Sequence, residues 1–302
     1  MYSFTQYLAA KKTVDDRALN RSVFSKLKNA AAKQVNLRCL ELGAGVGTML
    51  ERLLQAGVFQ QASYMGIDSD PANIETGLKR LQAWGTAHGY QVQPERTELV
   101  FRSQPRREIR AALQSADALE YCTRSETQGA YDLLAAHAFL DLFDLPGALP
   151  VFLRALRPGG LCYFTINFDG DTIFEPTISP VFDDLVTSLY HRTMDERLTD
   201  GKRSGDSRSG RHLFSLLPQN GVQILAAGAS DWVVFPGARG YPNDEAYFLH
   251  HILHFFEQSL GGHPELDQDT FRSWLTLRHA QVERGELVFI AHQLDFLGIK
   301  NT

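Results

Sequence analysis

One stretch limits the fold of this chain more than any other: Leu40-Glu41-Leu42-Gly43-Ala44-Gly45-Val46-Gly47-Thr48. A run of apolar and small residues leads from Val35 into Leu42 and stops at Gly43. A helical pattern (Met49, Leu50, Leu53, Leu54) then takes over until Gly57. A strand that hands over to a helix through glycines opens a βαβ unit, because residues without a Cβ let backbone and ligand come close. The glycines follow G-x-G-x-G, so the third glycine position of the dinucleotide fingerprint G-x-G-x-x-G holds Thr48. Glu41 precedes the turn. A carboxylate there repels a pyrophosphate and attracts a cationic ligand.

The same rhythm continues downstream. Ser63 to Asp68 reads as a second strand, and Pro71, a good first-turn residue, opens a helix through Ile74, Leu78 and Leu81. Glu98 to Arg102 reads as a strand inside an insertion bracketed by Pro94 and Pro105. Ala111 to Leu119 is expected to complete the third core strand, Tyr131 to Ala136 the fourth and Leu161 to Phe168 the fifth. Strands alternating with helices predict an α/β fold, a doubly wound, mainly parallel seven-stranded sheet with helical cap insertions. Two amphipathic stretches, separated at Asp15-Asp16-Arg17, predict a helical cap over residues 1–34. The main domain is expected over 35–302, with insertions at about 85–110, 169–209 and 237–285. Within the second insertion, Asp200 to Gly210 reads as a mobile loop.

Lys and Arg total 30 against 35 Asp and Glu, a formal net charge of -5, which makes nucleic acid a poor partner. The stretch Arg106-Arg107-Glu108, with Arg102 and Arg110 nearby, reads as solvated surface. No apolar run reaches the roughly 18 residues that span a bilayer, so no membrane partner is expected. The first ten residues lack the features of a signal peptide. Cys39, Cys122 and Cys162 form no CxxC pair, which suits a reducing, cytoplasmic setting. His250, His251 and His254 lack the glutamate of an HExxH motif and read as a polar helix edge; no metal is expected.

Gly66-Ile67-Asp68 ends the second strand 21 positions after Gly47, where an acid can accept hydrogen bonds from ribose hydroxyls. Together these residues suit an adenosyl group whose other end is positive. The sequence here resembles the class I, Rossmann-like S-adenosylmethionine-dependent methyltransferases. Glu41, Gly43, Gly45 and Gly47 look like their first motif, and Asp68 looks like their ribose-binding acid. Tyr131 to His137 looks like their fourth strand, and Leu156-Arg157-Pro158-Gly159-Gly160-Leu161 like the turn before their fifth. The resemblance covers roughly residues 35 to 168. It implies S-adenosyl-L-methionine as cofactor, with Thr48, Ser69, Asp117, Ala118 and His137 also at its site. Ser69 stands where the family usually has an aliphatic residue against adenine, so adenine packing comes from elsewhere or the register differs by one. Asp117-Ala118 is the candidate for reading the adenine amino group.

The chain lacks the Asp/Asn-Pro-Pro-aromatic motif of amino-directed DNA methyltransferases and the Pro-Cys of cytosine enzymes. A small-molecule acceptor follows as the expectation, with O, N, C and S all open as its methylated atom. His137, at the end of strand four, is either a general base or a packed, cofactor-lining histidine. Tyr190 and His191 are candidate acceptor contacts, and Phe139, Phe168, Phe174 and Tyr241 candidate walls. Two rival readings are a non-catalytic S-adenosylmethionine-binding protein and an NAD-dependent oxidoreductase. Glu41 and Thr48 oppose the second.

Overall fold

The computed structural model describes residues 2–95, 98–103 and 107–301. Helix α1 (Phe4–Ala18) is followed by α2 (Arg21–Ala31), whose cap Asn20 accepts from the Ser22 and Val23 N–H groups at 3.1 Å. The expected break at Asp15-Asp16-Arg17 does not occur. Those residues lie inside α1, and the chain turns at Leu19 and Asn20. Strand β1 (Leu37–Leu42), α3 (Thr48–Gln55), β2 (Gln61–Asp68) and α4 (Pro71–Ala87) form the first βαβ unit. Asp70 caps α4 through its carboxylate, with Pro71 in the first turn.

The insertion is an antiparallel pair, β3 (Gln91–Glu95) and β4 (Glu98–Ser103), that extends the sheet beside β5 (Arg107–Ser115). The third core strand therefore runs over Arg107–Ser115 rather than Ala111 to Leu119. Ile109, Ala111 and Leu113 point inward while Glu108 and Arg110 face outward and pair with Glu95 and Arg102. Pro105 and Arg106 lie outside the described residues. Next come α5 (Ala118–Thr123), β6 (Tyr131–His137), α6 (Leu145–Leu153), β7 (Leu156–Glu175) and α7 (Pro180–Glu196). The chain ends with a small hairpin of β8 (Leu198–Thr199) and β9 (Lys202–Arg203), then α8 (Ser209–Gln219), β10 (Val222–Ala229), β11 (Trp232–Val234), α9 (Glu245–Leu260), α10 (Gln268–Glu283) and β12 (Val288–Lys300).

The main sheet has ten strands in the order β10-β12-β7-β6-β1-β2-β5-β4-β3, with β11 beside β12. Its centre, β5-β2-β1-β6-β7, is parallel, and both flanks are antiparallel. Setting aside β3, β4 and β11 leaves the seven strands the sequence predicts. Strands β1 and β6, in the middle of this parallel centre, are buried along most of their length, as their near-continuous apolar runs require. One face carries Val23, Leu27, Leu50 and Leu53, and the other Leu149, Phe152, Leu213 and Leu217.

Strands β7 and β12 continue past this layer and carry a second core of Phe174, Val186, Phe248, Phe256, Trp274 and Phe289, to which α1 adds Tyr7 and Val14. Residues 200–210 hold strand β9 of the small hairpin and several hydrogen bonds to the end of α7 and the residue after it. Ser207 donates its N–H and Oγ–H to Asp195 at 2.7 and 3.0 Å, and Ser204 donates to the Arg197 carbonyl at 2.9 Å. No helix among the described residues is long and apolar enough to cross a membrane.

Candidate active site

The chain winds from β1 to β2 and β5 on one side, then restarts with β6 on the other. The crevice at the carboxyl ends of these strands is where open α/β sheets bind ligands. A cavity of about 320 Å³ occupies it. Its wall includes Glu41, Gly43, Gly45, Thr48, Asp68, Ser69, Asp117, Ala118 and His137, nine of the ten residues the sequence assigns to a cofactor. Gly47 is off the wall. It caps α3 at φ +81°, and a Cβ there would lie 2.8 Å from Leu81 Cδ1, so its glycine serves the packing of α3 on α4. At Gly43, φ is +67° and a Cβ would meet the Phe139 ring at 2.2 Å, which lets that ring close over the turn.

Glu41 is buried, and its Oε2 has no hydrogen-bond partner. Burial pushes its carboxyl well above the usual range; Arg52 opposes this and Asp68 adds to it. Asp68 holds the turn in place: Oδ2 accepts from the Gly45 N–H at 2.9 Å, and Oδ1 from the Asp70 N–H and Asn73 Nδ2 at 3.0 Å. Asp117 follows β5 and caps α5, accepting from the Glu120 N–H at 2.8 Å. Ser69 lines the cavity as a polar residue, and the apolar wall comes from Ile67, Phe139, Leu142 and Phe143.

His137 is buried with both ring nitrogens engaged. Nε2 lies 2.8 Å from Asp15 Oδ2 and Nδ1 lies 2.8 Å from Thr165 Oγ1. Nε2 also lies 3.2 Å from Arg52 Nη1, which only donates; the shorter contact, to a carboxylate that only accepts, puts the proton on Nε2, and the Thr165 hydroxyl donates to Nδ1. Burial pushes the imidazole down to about 4, with Asp15 opposing and Arg52 and Lys11 assisting. Asp15 is buried; the charges of Lys11, His137 and Arg52 outweigh that burial and hold it well below the usual carboxylate range. Its partners converge from four places: Lys11 Nζ at 2.8 Å, His137, Arg52 Nη2 at 3.4 Å, and Trp232 Nε1 at 2.9 Å.

A larger cavity of about 710 Å³ adjoins the first and shares Phe4, Leu8, Lys11, Ala138 and Leu142 with it. Tyr190 and Phe168 line it. His191 does not: its Nε2 lies 3.0 Å from Thr172 Oγ1 and its ring sits against Phe168. Phe174 and Tyr241 are off both walls. Phe174 packs with Phe256 and Trp274, and Tyr241 donates to the Leu287 carbonyl at 2.7 Å. Ala138 and Ile166 on this wall have φ of +48° and +56°, and positive φ is strained for a β-branched residue such as Ile166.

Sequence reasoning missed the helix α1 contribution of Phe4, Leu8 and Lys11, although the apolar spacing of Phe4 and Leu8 was visible. It also missed Arg52, Asp141 and Gln293, for which no local motif exists. Among the described residues no group of three or more His, Cys, Asp or Glu side chains is placed to hold a metal ion; His250 instead bonds His279 and Glu283.

Residues 40–162 match the family model described as a methyltransferase domain. No curated protein matches. Among solved structures, the chain is similar to an S-adenosylmethionine-dependent methyltransferase from Thiobacillus denitrificans in complex with S-adenosyl-L-homocysteine, at 14% identity, 100% of each chain and TM-score 0.48. It is also similar to a geranyl diphosphate methyltransferase in complex with S-adenosylmethionine (10% identity, 91% of this chain and 83% of that one, TM-score 0.45). A third is the [4+2]-cyclase SpnF (16% identity, 92% and 81%, TM-score 0.42). Residues 40–162 of this chain thus match a methyltransferase domain.

Proposed function

We propose that this chain transfers a methyl group from S-adenosylmethionine to a small-molecule acceptor held in the larger cavity. The observation that carries the reading is Glu41 Oε2, a buried carboxylate oxygen without a partner on the wall of the switch-point cavity. A positive group entering there recovers the solvation that burial removed. The cofactor, when bound, supplies a methyl group already activated on a sulfonium. Glu41 faces its cationic end and Asp68 its ribose hydroxyls. Ser69, Asp117 and Ala118 line the adenine end, and the turn from Gly43 to Thr48 gives close backbone approach. Phe139 and Phe143 supply the apolar surface that Ser69 does not.

His137 acts in this reading as a positioning residue. Its lone pair accepts from Thr165 and its N–H goes to Asp15, so it has no free site to take a proton. Through Asp15 it fixes α1, whose Phe4, Leu8 and Lys11 wall both cavities. The joined cavities favour transfer over simple cofactor storage, because a binding module has no use for a second chamber. Calorimetry tests the reading. S-adenosylhomocysteine should bind with micromolar affinity, about -8 kcal/mol, and NAD far more weakly. Asp68→Ala should cost roughly 1.5 to 3 kcal/mol. Gly45→Val should abolish binding, since φ is +52° there and its Cβ would press on Leu8 at 3.2 Å. Preference for NAD would end the methyltransferase reading.

A further inference from the structure

The larger cavity contains polar groups with nothing to bond. Gln293 on β12 is buried, and its backbone N–H donates to Asp231 at 3.1 Å, yet its Oε1 has no partner. Asp141, in the turn after β6, is half-buried on the same wall; its carboxylate accepts from its own backbone N–H and forms no ion pair among the described residues. Its neighbour Leu142 lines both cavities, so Asp141 sits close to their junction. Arg197, on the same wall, donates Nε–H to the Ser204 carbonyl at 2.7 Å and keeps a buried Nη2 without a partner. One unpartnered acceptor, one half-buried carboxylate and one unpartnered cationic donor line a chamber that also carries Glu196 and His263 and is otherwise largely aromatic and aliphatic. Tyr190, for example, is stacked on Phe256 at 3.9 Å between ring centroids.

The charges decide which polar group fits. Lys11, Asp141 and Arg197 line the same cavity; burial raises the Asp141 carboxyl and Asp206 adds to this, while a hydrogen bond from its own backbone and the charges of Arg197 and Lys11 oppose it. A protonated amine beside Asp141 would meet those same two cations. A hydroxyl meets no such repulsion, and the oxyanion left when it loses its proton is favoured by them. Resting on the function proposed above, we propose that the larger cavity takes a flat aromatic molecule bearing a hydroxyl group, and that Asp141 is the catalytic residue that accepts the hydroxyl proton. The O–H bond breaks with its electron pair left on the aryl oxygen and the proton on the Asp141 carboxylate. That oxygen is then the nucleophile an activated methyl group requires, and Lys11 and Arg197 offset its charge. Gln293 Oε1 is the second hydrogen-bond acceptor for a substituent on the ring.

The test needs no natural acceptor. The full chain is titrated with 2-naphthol, 2-methoxynaphthalene and 2-naphthylmethylamine, with and without S-adenosylhomocysteine, and read by fluorescence. 2-Naphthol should bind about tenfold or more tightly than its methyl ether, the ratio for a hydrogen bond to a charged group. The amine should bind more weakly than 2-naphthol. Bound 2-naphthol should also show the ground-state naphtholate absorption band, which reports a proton acceptor at the hydroxyl. Asp141→Asn should lose that band and most of the preference while binding the methyl ether as before. Gln293→Leu, which removes an acceptor without touching Asp141, should keep the band. Equal affinity for alcohol and ether, a preference for the amine, no binding of any of the three, or a naphtholate band that survives Asp141→Asn would each overturn the proposal. Calorimetry with S-adenosylhomocysteine on the same samples separates this outcome from failure of the methyltransferase reading, since cofactor binding is measured without any arene.

Discussion

At the scale of single residues, His137 shows how a motif position can be legible and its role not. Its place at the end of strand four followed from the local pattern, because strand, turn and helix residues there are sequence neighbours. Its partners were hidden: Asp15 is 122 positions away and Thr165 is 28. The same applies to Asp15, which reads as a polar break in a helix yet sits buried against Lys11, Arg52, His137 and Trp232. The His137 environment sets a pH dependence with a definite sign. Burial pushes the folded pKa from 6.5 down to about 4, so between those values the unfolded chain binds the proton that the native chain refuses. Stability should therefore fall as the pH drops from about 6.5 to about 4, by on the order of 3 kcal/mol from this group. Asp295, raised to about 6 by burial, works in the opposite sense, losing stability as the pH rises from about 4 to about 6. The difference between wild type and His137→Gln in urea melts across pH 4 to 7 isolates the histidine. A difference that does not change with pH would contradict the buried neutral imidazole.

Among the elements, α1 depends most on a few polar contacts. Arg17 donates to Glu245 on α9 through both Nη atoms at 2.5 and 2.8 Å, and Asp15 ties the same helix to α3, β6 and β11. Asp15→Ala should leave Lys11 and Arg52 with less compensation inside the protein and cost about 3 to 5 kcal/mol, the range for breaking a buried ion pair. Hydrogen exchange should show α1 losing protection more than β1 or β6; uniform loss would mean that Asp15 supports the whole fold and not α1 in particular. The helices themselves were readable because their apolar spacing and caps, such as Asp70 with Pro71, are local. Strand β5 was displaced in the reading for a physical reason. Its outward residues Glu108 and Arg110 look like solvated charge, and only pairing with β4 shows them to be one face of a strand whose other face is Ile109, Ala111 and Leu113.

For the molecule as a whole, the antiparallel flanks decide how the sheet meets its surroundings. Strand β3 is an edge, and it carries Pro94, which has no N–H to offer another strand, and Glu95, paired with Arg102 and Arg110. Replacing both, as Pro94→Val with Glu95→Val, should leave the melting temperature nearly unchanged but raise light scattering on storage; unchanged scattering would mean that this edge is protected in another way. The parallel centre was legible because buried strands must be continuously apolar. The second core around β7 and β12 was not, since it joins residues near 7, 174, 248 and 289 that no local pattern links. The fourfold junction at Asp15 also bears on how the chain is made. A ribosome releases residue 15 long before residue 232, and the two are joined only after 217 further positions exist. Helix α1 therefore emerges with its charged face unsatisfied and cannot dock until β6 and β11 have been synthesised and placed. A helix made early thus becomes one of the last to settle, and both chambers acquire the part of their shared wall that Phe4, Leu8 and Lys11 supply only when it docks.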